Sequence, residues 1–242
     1  MARFLLIPGA WHGPWCWGAL IFLLQQAGHE VITPALTDPP PGANPLPIWA
    51  EQIALMAMAA PEPVMLLGHS RGGLVINEAA VLAPQAIKAL IYLTGFSLPA
   101  GQSLQSAMAR PEAGGAVDYL RPARGRCLAV APEAIIPRFY HLAPLALAQN
   151  AATRLHPEPV GSFSAPATIS LQQISPFPRF YIECSEDRML PLALQRAIQA
   201  DMPGCQRFTL QADHSPFFSA PEPLASLLNC LASLAGAEFP PI

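Results

Sequence analysis

The sequence predicts an α/β protein built on a mostly parallel sheet, with helices on both faces and a mainly helical insertion. Three observations carry this. Short apolar runs alternate with longer helical patterns over the first hundred residues, the alternation stops after Leu93, and it resumes at Arg179. Strand and helix in alternation select a parallel sheet, because parallel neighbours need a crossover connection and a helix is its usual form.

Residues 3–7, 64–67 and 89–93 are continuous apolar runs of strand length, as expected for strands buried on both faces; 31–33 is a weaker case, stopped by Pro34. Between them, 15–27, 47–59 and 71–82 read as helices. Residues 97–168 carry many prolines, the Gly114-Gly115 pair and helical fragments at 131–139 and 143–152. The rhythm returns with a strand at 179–184, a helix at 191–200, a strand at 207–211 and a closing helix at 221–235. The expected organisation is a core domain of 1–96 and 169–242 with a cap insertion at 97–168.

With 242 residues, of which 52% are apolar, the chain has material for one well-packed domain. Charged residues make up 12% and the net charge is −3, which excludes the basic footprint of a nucleic-acid binder. The insertion holds six arginines against four acids, a balance that suits a solvated surface at least as well as an anion site. Five cysteines, Cys16, Cys127, Cys184, Cys205 and Cys230, are widely spaced with no C-x-x-C pair, so reduced thiols are expected. The apolar stretch at 4–7 is too short for a signal peptide and no run reaches the length of a membrane span. The expectation is a soluble cytoplasmic protein with a small-molecule partner, no nucleic acid and no membrane; homodimerisation is left open.

The informative stretch is Leu66-Leu67-Gly68-His69-Ser70-Arg71-Gly72-Gly73, where an apolar strand gives way to a helical run through a Gly-x-Ser-x-Gly turn. Such a turn presents a serine hydroxyl at the end of a strand, and glycines flank it because side chains there would strike neighbouring backbone. A serine N-cap would account for Ser70 but not for both glycines. A serine nucleophile needs a base to accept its proton. Of six histidines, His12, His29 and His69 precede Ser70, and His141 and His156 fall in the insertion; His214 alone follows a late strand and opens a loop. The orienting acid belongs on a loop after the intervening strand, where Asp187 is favoured and Glu186 is the alternative. Developing negative charge needs preorganised donors. The Arg71 N–H supplies one, and the loop Pro8-Gly9-Ala10-Trp11-His12-Gly13 the other, best at Ala10. His12 is read as a brace for the following helix, and Trp11, Trp15 and Trp17 chiefly as packing. Candidate substrate-lining residues are Trp11, Phe96, Phe139, Tyr140 and Phe217, with Leu98 and Leu142 beside them.

Four blocks, "LLIPGAWHGPWCW", "LLGHSRGG", "YIECSEDRMLP" and "ADHSPFFSAPEPL", resemble in order those of the α/β-hydrolases grouped with plant methylesterases, α-hydroxynitrile lyases and their bacterial esterase relatives. The resemblance spans nearly the whole chain outside the insertion. It implies about six parallel strands with a mostly helical cap, nucleophile, acid and base roles for Ser70, Asp187 and His214, oxyanion roles for the Ala10 and Arg71 amides, and neither metal nor organic cofactor. The implied activity is serine carboxylic-ester hydrolysis of small or aromatic esters through an acyl-enzyme. Alternatives are a hydroxynitrile lyase or C–C bond hydrolase on the same triad, or a non-catalytic small-molecule receptor. The lyases of this group use a threonine and a lysine where this chain has Gly9 and Ser215. Many relatives carry a smaller or neutral side chain at the position of Arg71, so its guanidinium requires a partner that the sequence does not name.

Overall fold

The computed structural model describes residues 1–115 and 118–235. Its strands are β1 (Arg3–Ile7), β2 (Glu30–Ile32), β3 (Val64–His69), β4 (Ile87–Leu93), β5 (Leu120–Ala123), β6 (Cys127–Val130), β7 (Glu158–Pro159), β8 (Arg179–Cys184) and β9 (Gln206–Leu210). Six of them form one sheet in the order β2-β1-β3-β4-β8-β9, parallel at every pairing. The order reverses direction at β1 and β3, the place where an open α/β sheet leaves a crevice at its carboxyl edge.

Alternate residues of these strands feed two cores. Leu5, Ile7 and Leu66 face one, against helices α2 (Pro45–Met58), α3 (Gly72–Leu82) and α9 (Leu192–Asp201). Phe4, Leu6, Met65 and Leu67 face the other, against α1 (Gly18–Gln26), α10 (Pro216–Ser219) and α11 (Pro221–Leu234). Burial on both faces is why the strands read as unbroken apolar runs rather than as alternation.

Two helix starts differ from expectation. The helix expected from 47 begins at Pro45, because Asn44 accepts the Leu46 N–H and proline is preorganised for the first helical position. The one expected from 15 opens as a 3₁₀ turn, Pro14–Trp17.

Between β4 and β8 lie α4 (Leu104–Met108), α5 (Pro132–Phe139), α6 (Leu145–Ala152), α7 (Gly161–Ser164) and α8 (Leu171–Ile174), together with an antiparallel sheet, β5-β6-β7, that sequence reasoning missed. The positive balance of this segment goes into local contacts. Arg110 pairs with Asp201 of α9, Arg138 donates to the Arg188 carbonyl, and Arg154 lies 4.8 Å from the Trp15 ring centre. Residues 116, 117 and 236–242, within the expected insertion and core ranges, lie outside the described residues. Among the described residues no helix is long and apolar enough to cross a membrane.

Candidate active site

The β3 strand runs two residues further than its apolar stretch suggests, through Gly68 and His69, and ends in a sharp turn that leads into α3. Ser70 stands in that turn at φ +51°, a left-handed conformation that costs a non-glycine residue free energy and persists only where the surroundings hold it. They do so here: the Ser70 N–H donates to Leu93 O (3.2 Å), and its carbonyl accepts from Phe96 N–H (2.9 Å) and Gly73 N–H (3.1 Å). A Cβ at Gly68 would lie 2.6 Å from the Gly72 carbonyl, and one at Gly73 would lie 2.3 Å from Phe96 O. Both are backbone contacts that cannot yield without moving the turn.

Asp187 follows β8 and His214 follows β9, and the structure brings them together: His214 Nδ1 lies 2.7 Å from Asp187 Oδ2. The carboxylate is fully engaged. Oδ2 also accepts from Thr94 Oγ1 (2.6 Å), and Oδ1 accepts from the Met189 and Leu190 N–H groups, each at 2.7 Å. Two amides on one oxygen fix which edge of the carboxylate faces the imidazole. Thr94, immediately after β4 and at φ +37°, is a neighbour of Asp187 that sequence reasoning missed. A polar residue closing a buried strand at the sheet's carboxyl edge was the available signal. Glu186, the alternative acid, is exposed. Asp213 is occupied elsewhere, accepting from Ser215 N–H, Ser219 Oγ and Leu142 N–H.

His69 links the turn to His214. Its Nε2 lies 2.8 Å from His214 O, and burial holds its pKa well below the usual histidine value, so it is a neutral donor to that carbonyl. The ring centres of His69 and His214 are 4.7 Å apart.

The loop after β1 is pinned almost atom by atom. Gly9 O accepts from His12 N–H and from Arg71 Nη2, both at 3.3 Å. Ala10 O lies 2.8 Å from His12 Nδ1, and His12 Nε2 lies 2.7 Å from Tyr140 Oη. Burial lowers the His12 pKa to about 3 and raises that of Tyr140, so a neutral imidazole bridges the loop and a neutral phenol. His12 therefore holds Tyr140, and its ring also stacks 5.6 Å from that of Trp15 in the 3₁₀ turn that opens the following helix. Trp11 sits at φ +64°, with its N–H on Glu158 Oε2 (3.2 Å), its indole N–H on Leu128 O (2.9 Å) and its carbonyl accepting from His156 N–H (3.1 Å). The Ala10 and Arg71 N–H groups, by contrast, have no acceptor among the described residues, though both residues are buried. Buried unpaired amides are rare, and two beside a strained serine form a ready place for an anionic oxygen.

The guanidinium of Arg71 finds its partner in Glu158 on β7, 2.9 Å from Nε to Oε1, and stacks 4.2 Å from the Trp49 ring centre. The Nε–H is not aligned on the oxygen, so the contact is a charge pair rather than a hydrogen bond. Burial pulls the Arg71 pKa down and Glu158 pulls it back up.

Among the expected lining residues, Phe139 packs 5.5 Å from the His214 ring and 5.7 Å from that of Trp11, while the Phe96 backbone braces the turn. Tyr140 spends its hydroxyl on His12. Phe217 is a correction: it is wholly buried between Trp17 (4.8 Å) and His69 (5.1 Å), where its ring supports the turn from the opposite core. Leu142 is 46% exposed. Ser70 and His214 are only 5% and 1% exposed. A cavity of about 610 Å³ opens alongside, between the 35–43 loop, Trp15, Trp49, Arg71 and Glu158; neither Ser70 nor His214 lines it.

Comparison with known proteins identifies the family and the fold. The model of the alpha/beta hydrolase family matches residues 4–227. The chain is 29% identical to a pyrethroid hydrolase of Sphingobium wenxiniae, over 97% of this chain and 89% of that protein. It is 28% identical to Methylesterase 7 of Arabidopsis thaliana, over 93% and 94%. The crystal structure of a pyrethroid hydrolase from Sphingobium faniae superposes with a TM-score of 0.84 at 28% identity, covering 96% of this chain and 97% of that one. The chain belongs to the alpha/beta hydrolase family, and within it is a carboxylesterase-like hydrolase of the group that holds the methylesterases.

Proposed function

We propose that the protein hydrolyses small or aromatic carboxylic esters by a serine mechanism, with Ser70 as nucleophile, His214 as general base and acid, and Asp187 as the residue that orients the imidazole. The observation that carries this reading is the Asp187 carboxylate, saturated by four hydrogen bonds, one of them to His214 Nδ1. A carboxylate so held keeps the proton on Nδ1 and leaves the Nε2 lone pair free to accept the hydroxyl proton. Ser70 Oγ then adds to the ester carbonyl, and the carbonyl electron pair moves onto oxygen, where the Ala10 and Arg71 N–H groups donate to it. Collapse of that intermediate breaks the bond to the alkoxy oxygen, which takes the proton from His214. Water, deprotonated by the same nitrogen, releases the acid and regenerates Ser70.

The names of the relatives, a pyrethroid hydrolase and a methylesterase, support an ester substrate. The Phe139 ring, 5.5 Å from that of His214, favours an apolar or aromatic group there. We read 97–168 as a cap over this site, and the free cysteines fit a reducing cytoplasm. The lyase alternative loses support at Gly9, where a Cβ would lie 2.7 Å from His69 Nδ1 and 2.9 Å from Ser70 Cβ, leaving no room for the threonine that chemistry uses. The test is a panel of p-nitrophenyl acetate, butyrate and octanoate together with mandelonitrile. Short-chain ester hydrolysis that falls about 10³-fold or more in Ser70→Ala supports the proposal. Undiminished hydrolysis by that folded variant, or cleavage of mandelonitrile alone, refutes it.

A further inference from the structure

We propose that Glu158 is a positioning residue for the oxyanion hole, a single buried carboxylate that fixes both chain segments carrying the donor amides. The inference rests on the ester-hydrolase reading above. Glu158 Oε2 accepts the N–H of Trp11, the residue after Ala10, and Oε1 faces the guanidinium of Arg71, the other donor residue. Arg71 Nη2 in turn donates to Gly9 O, the residue before Ala10. The result is a closed circuit, Glu158 to Trp11, along the loop to Gly9, across to Arg71 and back to Glu158, with the free Ala10 and Arg71 N–H groups inside it.

Three further features make this more than a buried ion pair. Trp11 occupies a left-handed conformation that a bulky residue avoids unless it is held, and all three of its polar groups are bound by the segment between β4 and β8, through Leu128, His156 and Glu158. Glu158 is itself registered against Leu128 across β6 and β7, so two of those contacts come from one rigid pair of strands. Arg71 and Glu158 side chains are 2% and 1% exposed, so neither is screened by solvent and neither can lose its partner without consequence. The β6–β7 pair therefore sets where the oxyanion donors point, acting through Trp11 and Arg71 rather than on the reacting atoms.

The experiment uses pairs of substitutions, because removing one charge alone endangers folding. Arg71→Met with Glu158→Gln removes both charges and keeps an amide oxygen for the Trp11 N–H; Arg71→Met with Glu158→Leu removes that acceptor as well. Both are checked for wild-type-like circular dichroism and thermal melting, then assayed for kcat and KM on p-nitrophenyl butyrate and for the rate of phosphonylation by a fluorophosphonate. We expect the Gln pair to keep kcat within about tenfold of wild type, and the Leu pair to lose a further 10- to 100-fold in kcat and in phosphonylation with KM within about twofold, on the scale of a displaced catalytic donor. A folded Leu pair that matches the Gln pair in kcat, or that changes KM alone, overturns the assignment. Ser70→Ala in the same assay separates the two levels: if it keeps wild-type turnover, the serine mechanism fails and the assignment with it, whereas an inactive Ser70→Ala beside an undiminished Leu pair refutes the role of Glu158 alone.

Discussion

Asp187→Asn isolates the central hydrogen-bond logic of the site, because the substitution changes one oxygen into an NH2 at almost constant shape. Oδ1 faces two N–H donors at 2.7 Å, so the amide cannot turn its nitrogen toward Met189 and Leu190 without setting donors against donors. The NH2 is thereby forced toward Thr94 and His214, where Oδ2 now accepts at 2.6 and 2.7 Å. The Thr94 hydroxyl rotates and accepts. The imidazole cannot rotate so cheaply, since Phe139 and His69 pack beside it, so His214 must offer its Nδ1 lone pair and carry its proton on Nε2. A base protonated at that nitrogen cannot take the Ser70 proton. A triad held in the wrong tautomer loses about 10⁴ in kcat, or about 5.4 kcal/mol of transition-state stabilisation at 1.36 kcal/mol per tenfold. The assay is kcat for p-nitrophenyl butyrate at neutral pH, with thermal melting to show that the fold persists. A folded variant that retains more than a tenth of wild-type kcat refutes the reasoning.

Three other outcomes are expected. Thr94→Val, isosteric but unable to donate to Oδ2, lowers kcat severalfold and costs about 1.5–3 kcal/mol of stability, read as a fall in midpoint by urea titration; unchanged stability and rate would show that Oδ2 does not need its second donor. Gly73→Ala puts a methyl 2.3 Å from Phe96 O and destabilises the fold by several kcal/mol, so wild-type thermal melting of this variant would contradict the turn geometry. His12 is held neutral in the folded protein with a pKa near 3, while in the unfolded chain it titrates near 6.5. Between those values the unfolded chain binds more protons, so stability rises with pH across the window and falls on acidification. At pH 4.5 His12 alone removes about 2–3 kcal/mol relative to pH 7.5. A His12→Gln variant should flatten that slope in chemical denaturation series, and an unchanged slope would deny the buried neutral ring.

What could be read from the sequence depended on how local the cause was. β1 and β8 are legible to the residue because a proline bounds each, Pro8 after β1 and Pro178 before β8, and Ser70 is legible because its two glycines have no other use. The antiparallel strands of the insertion were not, since β5 and β6 are short and largely half-buried or exposed, and Pro122 lies within β5. Thr94 gave only a weak signal. The partnership of Arg71 with Glu158 gave none, because 86 intervening residues and a strand pairing separate a charge from its counter-charge. Phe217 misled because aromatic residues near a catalytic loop look the same in sequence whether they line a site or wedge beneath it.

The most direct measurement of the central claim is covalent labelling. Fluorophosphonate treatment of the folded protein, followed by peptide mass spectrometry, should yield one adduct on Ser70, absent from Ser70→Ala and slowed by orders of magnitude in His214→Ala. Labelling at another residue, or none in a folded sample that still hydrolyses p-nitrophenyl esters, would contradict the assignment of Ser70 as the nucleophile.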